Sequence, residues 1–393
     1  MQVITENKVV PKLRFGNFSN SWDISKFDTY CNFQQGVQVD VELHKKKYED
    51  GYIKFLRIEN YTQKSNDFRF IPDLYKESKR IDEDDIVVVR YGATAGFIGR
   101  GFTGILANNL FKIIPDKNIF NKDYLYQYLI SFRVFKFFQS EMAGGAMPAL
   151  SFGIVKHLKV PITSIPEQQK IASFLSAVDE KLQQLTKKKE LLEEYKKGVM
   201  QKIFSQELRF KDDNGNSYSD WEEKRIEDLF IVTRGTVLAI PKISTHKINE
   251  CPYPVYSSQT KNNGIAGYYK DYLFEDAITW TTDGAQAGEV NFRKGKFYCT
   301  NVCGVLKSDE GYANLCIAEK LNRVSRRYVS YVGNPKLMNN VMAKIRINIP
   351  TSLDEQKKLS NFLSSLDSKM ELVSTQIENT KVFKKGLLQQ MFV

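Results

Sequence analysis

A heptad pattern over residues 164–204 limits what this chain can fold into more than any other feature of its sequence. With Ile171 at heptad position a, the a and d positions are, in order, Ile171, Leu175, Val178, Leu182, Leu185, Lys189, Leu192, Lys196, Val199 and Ile203. Eight of these ten residues are apolar, which is typical of a narrow seam that packs against another helix. Ser164 and Glu167 match a capping box, so we predict one helix, about 60 Å long, that begins there.

Residues 352–393 repeat this segment without a gap, at the offset of 188 positions that separates Glu167 from Glu355. Other aligned pairs are Gln168 and Gln356, Phe174 and Phe362, Asp179 and Asp367, Lys197-Gly198 and Lys385-Gly386, and Phe204 and Phe392. The second seam consists of Leu359, Leu363, Leu366, Met370, Val373, Ile377, Thr380, Lys384, Leu387 and Met391. We expect the two helices to pack antiparallel, with Lys189 and Lys196 opposite Thr380 or extending to solvent.

The segments that flank the first long helix also resemble each other, which predicts two related units. Arg14-Phe15 followed by Trp22 corresponds to Arg209-Phe210 followed by Trp221. Strand-like runs lie at Tyr52–Ile58, Ile86–Arg90, Leu110–Ile114, Ala277–Thr281, Phe297–Cys299 and Val302–Leu306, and helical patterns lie at Lys122–Gln139 and Leu315–Tyr331. We predict an α/β (α+β) fold with two similar domains related by pseudo-twofold symmetry and joined by an antiparallel coiled coil. The predicted domains are residues 1–163 and 207–351, and the helices are residues 164–206 and 352–393.

A Gly-Ala-x-Ala-Gly motif occurs in each predicted unit, at residues 92–96 and 284–288. Such a motif suits a tight turn that needs residues without Cβ, or a loop whose backbone approaches a phosphate. No Gly-Lys-Ser/Thr follows either copy, which excludes the phosphate loop of nucleotide enzymes, and we favour the turn. The units differ elsewhere: Tyr253–Gln259 and Asn262-Asn263-Gly264 have no evident counterpart in the first unit.

The composition is that of a globular protein with a basic excess: 42% hydrophobic residues, 26% charged residues and a net charge of +11. The basic excess is distributed along the chain, which suits a polyanionic partner that is met along the whole molecule. The sequence has no apolar run of about 20 residues and no apolar signal core near its first residue, so we expect a cytoplasmic protein. Five scattered cysteines do not suggest a disulfide framework.

Catalytic motifs are scarce, and we therefore predict that the chain is not an enzyme by itself. The three histidines, His44, His157 and His246, do not have the spacing of metal ligands. Cys299, Cys303 and Cys316 lack the paired C-x-x-C arrangement of zinc sites, and the sequence predicts no bound metal. The sequence has neither a glycine fingerprint for a methyl-donor cofactor nor a motor motif.

Candidate DNA contacts are residues with the right chemistry on predicted loops and strands. Cations that could reach phosphates are Lys45, Lys46, Lys47, Arg293, Lys294, Lys296, Arg326 and Arg327. Side chains that could bind base edges or line the glycine turn are Arg57, Arg69, Arg90, Tyr91, Ser257, Ser258, Gln259, Asn262 and Asn301. Each of these residues is also compatible with an ordinary exposed surface position.

The whole pattern resembles the DNA-specificity subunit of type I restriction-modification enzymes. The resemblance is carried by Val160-Pro161 through Lys170 and Ile349-Pro350 through Lys358, by Phe174–Asp179 and Phe362–Asp367, and by the Lys-Gly step near each helix end. Tyr253–Ser258 and Gly295–Tyr298 are similar to common segments of the family's recognition domains. The resemblance covers essentially the whole chain, and its specificity comes from the repeat architecture rather than from one motif.

This resemblance implies that each variable domain is a target-recognition domain for one half of a split double-stranded DNA site. It implies that the paired helices set the spacing, that type I methyltransferase (modification) subunits dock on the chain, and that restriction (nuclease-translocase) subunits join them. The partner subunits would use S-adenosylmethionine, ATP and magnesium, and this chain would bind no cofactor. The alternative is a non-catalytic coiled-coil adaptor with two protein- or sugar-binding domains.

Overall fold

The computed structural model describes residues 8–143, 148–258 and 261–393. The chain folds into two compact units: Met1–Lys187 with Thr375–Val393, called unit 1, and Lys188–Ser374, called unit 2. Both units contain part of each long helix, so the C-terminal residues of the chain complete the fold of unit 1. No helix of the described ranges is both long enough and apolar enough to cross a membrane.

Unit 1 is built from short strands that pair in three small sheets. Its strands are β1 (Lys8–Val9), β2 (Trp22–Lys26), β3 (Cys31–Gln35), β4 (Tyr52–Leu56), β5 (Arg69–Pro72), β6 (Arg80–Ile81), β7 (Ile86–Val89), β8 (Ile98–Gly99), β9 (Gly104–Leu106), β10 (Leu110–Pro115) and β11 (Lys159–Ile162). Its helices are α1 (Ile58–Thr62), α2 (Lys122–Leu129), α3 (Phe132–Glu141), α4 (Phe152–His157) and the first part of α5 (Ile165–Phe204). The strand orders are β1-β2-β11, β3-β10-β7-β8 and β5-β4-β9-β6.

Aromatic side chains fill the main core of unit 1. Trp22, Phe111 and Tyr124 are completely buried and pack with residues of α5 and of the chain's C-terminal segment, including Leu175 and Met391. The helical pattern at residues 122–139 corresponds to two helices, α2 and α3, with a break between them. The break lies at Ser131, whose buried hydroxyl accepts a hydrogen bond from the backbone N–H of Val134 and so begins a new helix.

Unit 2 has a similar but more continuous framework. Its strands are β12 (Glu222–Arg225), β13 (Ile231–Arg234), β14 (Tyr253–Tyr256), β15 (Ile265–Tyr269), β16 (Phe274–Thr281), β17 (Val290–Cys299), β18 (Cys303–Lys307) and β19 (Arg346–Ile349). Its helices are α6 (Ile226–Leu229), α7 (Leu315–Ser325), α8 (Asn339–Lys344), the end of α5 and the first part of α9 (Leu353–Met391). The strand orders are β12-β19 and β13-β18-β16-β17-β14-β15. The helix predicted at residues 315–331 ends at Ser325, where a 3₁₀ turn follows.

The two long helices confirm the predicted seam. Every predicted a and d position of α5 and α9 is buried or half-buried, including Leu182, Leu192 and Met370, which are half-buried. The helices run antiparallel within each unit. In unit 1 Asp179 of α5 contacts Lys384 of α9, and residues earlier in α5 pack with residues later in α9. In unit 2 the same order holds from Lys196 with Asp367 to Ile203 with Leu359.

Two lysines at d positions are accommodated by ion pairs rather than by Thr380 or by extension to solvent. Lys196 lies 2.7 Å from Asp367 and 3.1 Å from Glu319, and its side chain is only 17% exposed. Lys384 forms the equivalent pair with Asp179, at the positions that the offset of 188 relates. Lys189 remains closer to solvent and lies 3.9 Å from Glu193 of its own helix. The aligned aspartates therefore neutralise one seam lysine in each long helix.

Candidate nucleic-acid interface

A buried carboxylate at the start of each long helix ties the first segment of each unit in place. Glu167 is 1% exposed and accepts hydrogen bonds from Arg14 Nε at 2.6 Å and from Trp22 Nε1 at 3.1 Å. Burial raises the pKa of Glu167, but the hydrogen bonds from Arg14 and Thr163 outweigh burial and hold the pKa below its ordinary value. The glutamate of the predicted capping box therefore binds side chains of the preceding segment.

Glu355 repeats this arrangement in unit 2. Its carboxylate accepts from Arg209 Nη2 at 3.1 Å and from Trp221 Nε1 at 3.2 Å, while Ser352 Oγ accepts from the Glu355 backbone N–H at 3.4 Å. The arginine and tryptophan that the sequence aligned in the two units thus have the same role in both. These contacts make the framework of each unit rigid around the loops that differ.

A loop that joins two antiparallel strands occupies the equivalent place in both units. In unit 1 residues 57–68, the unit 1 loop, connect β4 to β5, and β4 pairs in parallel with β9. In unit 2 the connection from β14 to β15, of which the structure describes residues 257, 258 and 261–264, is called the unit 2 loop, and β14 pairs in parallel with β17. Tyr253–Tyr256, which has no evident counterpart in the sequence of the first unit, therefore has a structural counterpart in β4, whose sequence is different.

The unit 1 loop brings two predicted base-binding residues together. Arg69 Nη1 lies 2.6 Å from Asp67, and Arg57 Nη2 donates to the Asp67 carbonyl at 3.0 Å. The hydrogen bond from Arg69 lowers the pKa of Asp67 below its ordinary value, so this carboxylate is ionised at neutral pH. Arg57 also forms an ion pair with Glu59 at 2.7 Å. Both arginine side chains are partly exposed. To bind DNA, each would have to break its ion pair with an acidic residue.

The segment before β4 places its lysines beside the same loop. Lys45 forms a backbone bridge with Phe70, which follows Arg69, and its ammonium group pairs with Glu49 and lies 4.2 Å from the Tyr52 ring. Lys46 and Lys47 are exposed. The structure thus groups Lys45, Lys46, Lys47, Arg57 and Arg69 on one part of unit 1.

Polar predicted residues lie at the base and tip of the unit 2 loop. Ser257 and Ser258 are half-buried, and Thr300 Oγ1 donates to Ser257 Oγ at 3.2 Å, which places Asn301 next to the loop. Asn262 is exposed and has a left-handed backbone with φ of 51°. Gln259 lies outside the described residues. Hydroxyl and amide groups of this kind can hydrogen-bond to base edges.

Arg293 is buried, which corrects its assignment as a phosphate contact. It is 6% exposed, and its guanidinium group lies 3.9 Å from the Tyr256 ring. Its Nε donates to Thr279 Oγ1 at 3.2 Å and its Nη1 donates to the Asn263 carbonyl at 2.9 Å. Burial lowers the pKa of Arg293, but a guanidinium group remains charged at neutral pH. A side chain enclosed in this way is not available to a DNA phosphate.

The other predicted cations of unit 2 lie in two places. Lys294 and Lys296 are exposed on β17, where Lys296 lies 4.6 Å from the Tyr272 ring. Arg326 follows α7 and donates to Gln286 Oε1 at 3.0 Å. Arg327 lines a surface cavity of about 550 Å³ with Lys320 and Arg323, apart from the residues that surround the unit 2 loop.

Arg90 and Tyr91 contact residues 149–152 of unit 1. Arg90 is half-buried, with its guanidinium group 4.8 Å from the Tyr91 ring and 4.7 Å from the Phe152 ring, and its carbonyl accepts from Leu150. Tyr91 is 41% exposed and immediately precedes the first glycine turn. The structure therefore does not bring this pair together with the other candidates of unit 1.

The two Gly-Ala-x-Ala-Gly segments are tight turns. Their first and last glycines have left-handed φ values of 88° and 85° in unit 1 and of 93° and 85° in unit 2. The amides of Gly92, Ala95 and Gly96 donate to backbone carbonyls, and the equivalent amides of unit 2 do the same. Since these N–H groups are already satisfied, the geometry favours the turn over a phosphate-binding loop.

The sequence analysis missed a pair of glycines that determine where the variable part of each unit begins. A Cβ atom on Gly36 would lie 2.1 Å from the Ala107 carbonyl oxygen, and one on Gly235 would lie 2.0 Å from the Cys299 carbonyl oxygen. Each glycine follows the strand that pairs with β10 or β18. The shared signal is a glycine directly after a strand-like run, which is too common to single out in one sequence.

Comparison with known proteins identifies the family. The family model described as "Type I restriction modification DNA specificity domain" matches residues 32–194 and 218–380. A putative type I specificity subunit N-terminus from Mycoplasma pneumoniae is 41% identical over 36% of this chain and 75% of its own length. The specificity subunit of the type I restriction enzyme MjaVIII from Methanocaldococcus jannaschii is 23% identical over 93% of this chain and 91% of its own.

A solved structure has the same fold along the full chain. The crystal structure of the S subunit of a type I restriction-modification system from M. genitalium covers 98% of this chain and 99% of its own, with a TM-score of 0.66 and 18% identity. The two family-model matches correspond to the two repeats found in the sequence, and together they cover most of the chain. This chain therefore belongs to the family of type I restriction-modification DNA specificity subunits.

Proposed function

We propose that each unit of this specificity subunit reads one half of a bipartite double-stranded DNA target. The supporting observation is the unit 1 loop and the unit 2 loop, which occupy equivalent places in similar frameworks but present different hydrogen-bonding side chains. Arg57 and Arg69 flank the first loop, whereas the second contains Ser257, Ser258 and Asn262. Arginine prefers guanine and asparagine prefers adenine in the major groove, so the loops suit different base sequences.

The two long helices are proposed as the spacer between the recognition domains. In this proposal residues 1–163 and 207–351 are the recognition domains, and residues 164–206 and 352–393 are the spacer helices. The buried seams and the two equivalent ion pairs support it, because they fix the register between the helices. A fixed register would fix the number of unread base pairs between the half-sites.

The chemistry is proposed to reside in partner subunits. Type I methyltransferase subunits would supply adenine methylation with S-adenosylmethionine, and restriction subunits would supply ATP- and magnesium-dependent translocation and cleavage. This chain would bind DNA and its partners in the cytoplasm, without a cofactor and without catalysis of its own. The catalytic motifs missing from its sequence support this division of labour.

Mapping methylated adenines across a genome tests the proposal. The wild-type chain, co-expressed with its methyltransferase subunits, is expected to direct methylation to a motif of two short blocks with an unread gap. Replacement of residues 207–351 by the same region of a relative should change one block and leave the other unchanged. An adaptor for proteins or sugars would give no sequence motif, and a swap that altered both blocks would show that the units do not read independently.

A further inference from the structure

We propose that Arg293 is the positioning residue that holds the unit 2 loop in its DNA-reading conformation. This inference rests on the proposed function and deepens it, since it assigns sequence selectivity in one half of the target to a residue that cannot itself touch DNA. Its side chain is 6% exposed, so its effect must pass through the groups that it contacts. Those groups belong to both ends of the unit 2 loop and to a neighbouring strand.

Among the residues that the structure describes, no carboxylate pairs with the buried guanidinium group of Arg293. Within the described ranges, its polar contacts are the hydroxyl of Thr279 at 3.2 Å and the carbonyl of Asn263 at 2.9 Å. The Tyr256 ring faces the guanidinium group at 3.9 Å, a cation–π arrangement. A buried charge is costly unless hydrogen bonds compensate for it, so the Asn263 carbonyl is needed where it lies.

These contacts connect the two ends of the loop. Tyr256 is the last residue of β14, where the unit 2 loop begins, and Asn263 lies one residue before its end. The backbone N–H of Ser257 donates to the Gly264 carbonyl at 3.0 Å and closes the base of the loop. Arg293 therefore stacks on the strand at one end while it binds the carbonyl at the other.

The loop needs such a support because its backbone is not in a preferred conformation. Asn262 and Asn263 both have left-handed backbones, with φ of 51° and 55°, and Gly264 follows with φ of 82°. Left-handed residues other than glycine are disfavoured, and consecutive ones are rarer still. The direction of the Asn263 carbonyl depends on this conformation, and so the hydrogen bond from Arg293 selects it over alternatives. Asn262, an exposed candidate for base contact, is placed by the same backbone.

Unit 1 has no equivalent of Arg293. The pairing of Val88 with Ile98 corresponds to that of Trp280 with Val290, which aligns Arg293 with Gly101, a glycine with φ of 103°. The arginine is thus a property of unit 2 rather than of the shared framework. Its loss should affect the half-site read by unit 2 and leave the other half-site unchanged.

The experiment compares methylation maps directed by the full chain with its methyltransferase subunits. Arg293→Met removes both hydrogen bonds, Arg293→Lys retains the charge, and Lys307→Met is the control that removes an exposed cation from β18 of the same sheet. Arg293→Met is expected to lower discrimination against single mismatches about tenfold in the half-site of unit 2 only, a change within the range of one base-pair mismatch. Arg293→Lys should fall between Arg293→Met and wild type, and the control should match wild type.

A purely structural role is distinguished by a second readout. Hydrogen exchange at the Ser257 amide should accelerate in Arg293→Lys without faster exchange elsewhere in unit 2, whereas a general loss of stability would accelerate exchange throughout. If Arg293→Met does not fold, Thr279→Val removes one acceptor and should relax the same half-site to a smaller extent. Unchanged discrimination in both Arg293→Lys and Thr279→Val would overturn the inference. A wild-type complex without a bipartite motif would instead overturn the proposed function.

Discussion

The unit 1 loop and the unit 2 loop are held in their conformations by different contacts. The unit 1 loop contains its own support: Asn60 is completely buried, accepts from the Arg57 backbone N–H at 2.8 Å and donates to the Ser65 carbonyl at 2.8 Å. The unit 2 loop is supported from another strand by Arg293. A loop with local support can change as one contiguous piece of sequence, whereas the second loop must change together with β17.

This difference bears on how recognition domains can be recombined. Transfer of residues 57–68 into a related framework carries the Asn60 contacts with it, because every partner lies within the loop. Transfer of residues 257–264 alone does not include Arg293. The left-handed turn would then lose the hydrogen bond that this buried side chain donates. Variants at equivalent positions test this difference between the units, beginning with the seam that both share.

Leu175→Asp and Leu363→Asp are expected to have the largest effects. These equivalent seam residues are both completely buried, and an unpaired carboxylate there should destabilise the chain by more than about 4 kcal/mol. Hydrogen exchange should show lost protection first in unit 1 for Leu175→Asp and first in unit 2 for Leu363→Asp. If either variant kept wild-type protection in its own unit, the seam would not be the core that the burial indicates.

Glu167→Gln and Glu355→Gln should have the next largest effects on stability, and the two losses should differ in size. Glu167 holds Arg14 at 2.6 Å, and breaking this buried pair should cost about 3 kcal/mol. The Arg209 pair is longer, at 3.1 Å, and Arg209 is 23% exposed against 11% for Arg14, so Glu355→Gln should cost about half as much. Equal losses in urea unfolding of the two variants would contradict this order.

Acidification should reduce the difference in the free energy of unfolding between wild type and Glu167→Gln. The pKa of Glu167 is held below its ordinary value of 4.5, so its stabilising contribution is complete above that pH and is lost as the pH falls through the lowered value. The free energy of unfolding should therefore fall more steeply for wild type than for the variant below about pH 4.5. A constant difference between the two proteins down to pH 3 would count against a lowered pKa.

Asn60→Ala tests the local support of the unit 1 loop. The substitution leaves a backbone N–H and a carbonyl without their buried partner and should cost about 2 kcal/mol. Asn262→Gly is the matched control in the unit 2 loop, since glycine tolerates the left-handed backbone and loss of the exposed side chain should change stability by less than about 1 kcal/mol. Thermal unfolding compares the two variants, and a larger loss for Asn262→Gly would reverse the proposed difference between the loops.

The repeated parts of the molecule were predictable from the sequence, and the variable parts were not. The long helices and their seams follow from periodicity and a constant offset, and the alignment of Arg14 with Arg209 follows from a shared Arg-Phe pair that precedes a tryptophan; a single sequence displays both signals. The role of Arg293 depends on which strands lie side by side, and the role of Asn60 depends on how its own loop folds; no local sequence pattern encodes either contact. Arg293 illustrates the limit, because an arginine next to Lys294 on a strand is expected to be exposed, whereas strand pairing in the structure places Thr279 and Tyr256 around it.

The break at Ser131 shows a different limit of prediction from the sequence. Apolar periodicity continues from α2 into α3, so the pattern alone predicts one helix. The backbone stops there because the buried serine side chain caps the second helix, a contact that competes with helix continuation. The interruption of each seam by a lysine had a visible signal, because Asp179 and Asp367 occupy aligned positions, but their pairing required knowledge of the antiparallel register.

Lys384→Met and Lys196→Met are expected to have the smallest effects on stability, and the effect should again differ between the two units. Methionine fits a d position, and loss of Lys384 leaves Asp179 37% exposed and still bound by Gln127 Nε2 at 2.8 Å, so stability should change by less than about 0.5 kcal/mol. Loss of Lys196 leaves Glu319, which is 19% exposed, without this cation and should cost about 1 kcal/mol. Chemical denaturation of both variants measures the difference. A greater cost for Lys384→Met would mean that the Gln127 hydrogen bond does not compensate for the missing lysine, and that the two ion pairs are not held by their surroundings in the way that the distances suggest.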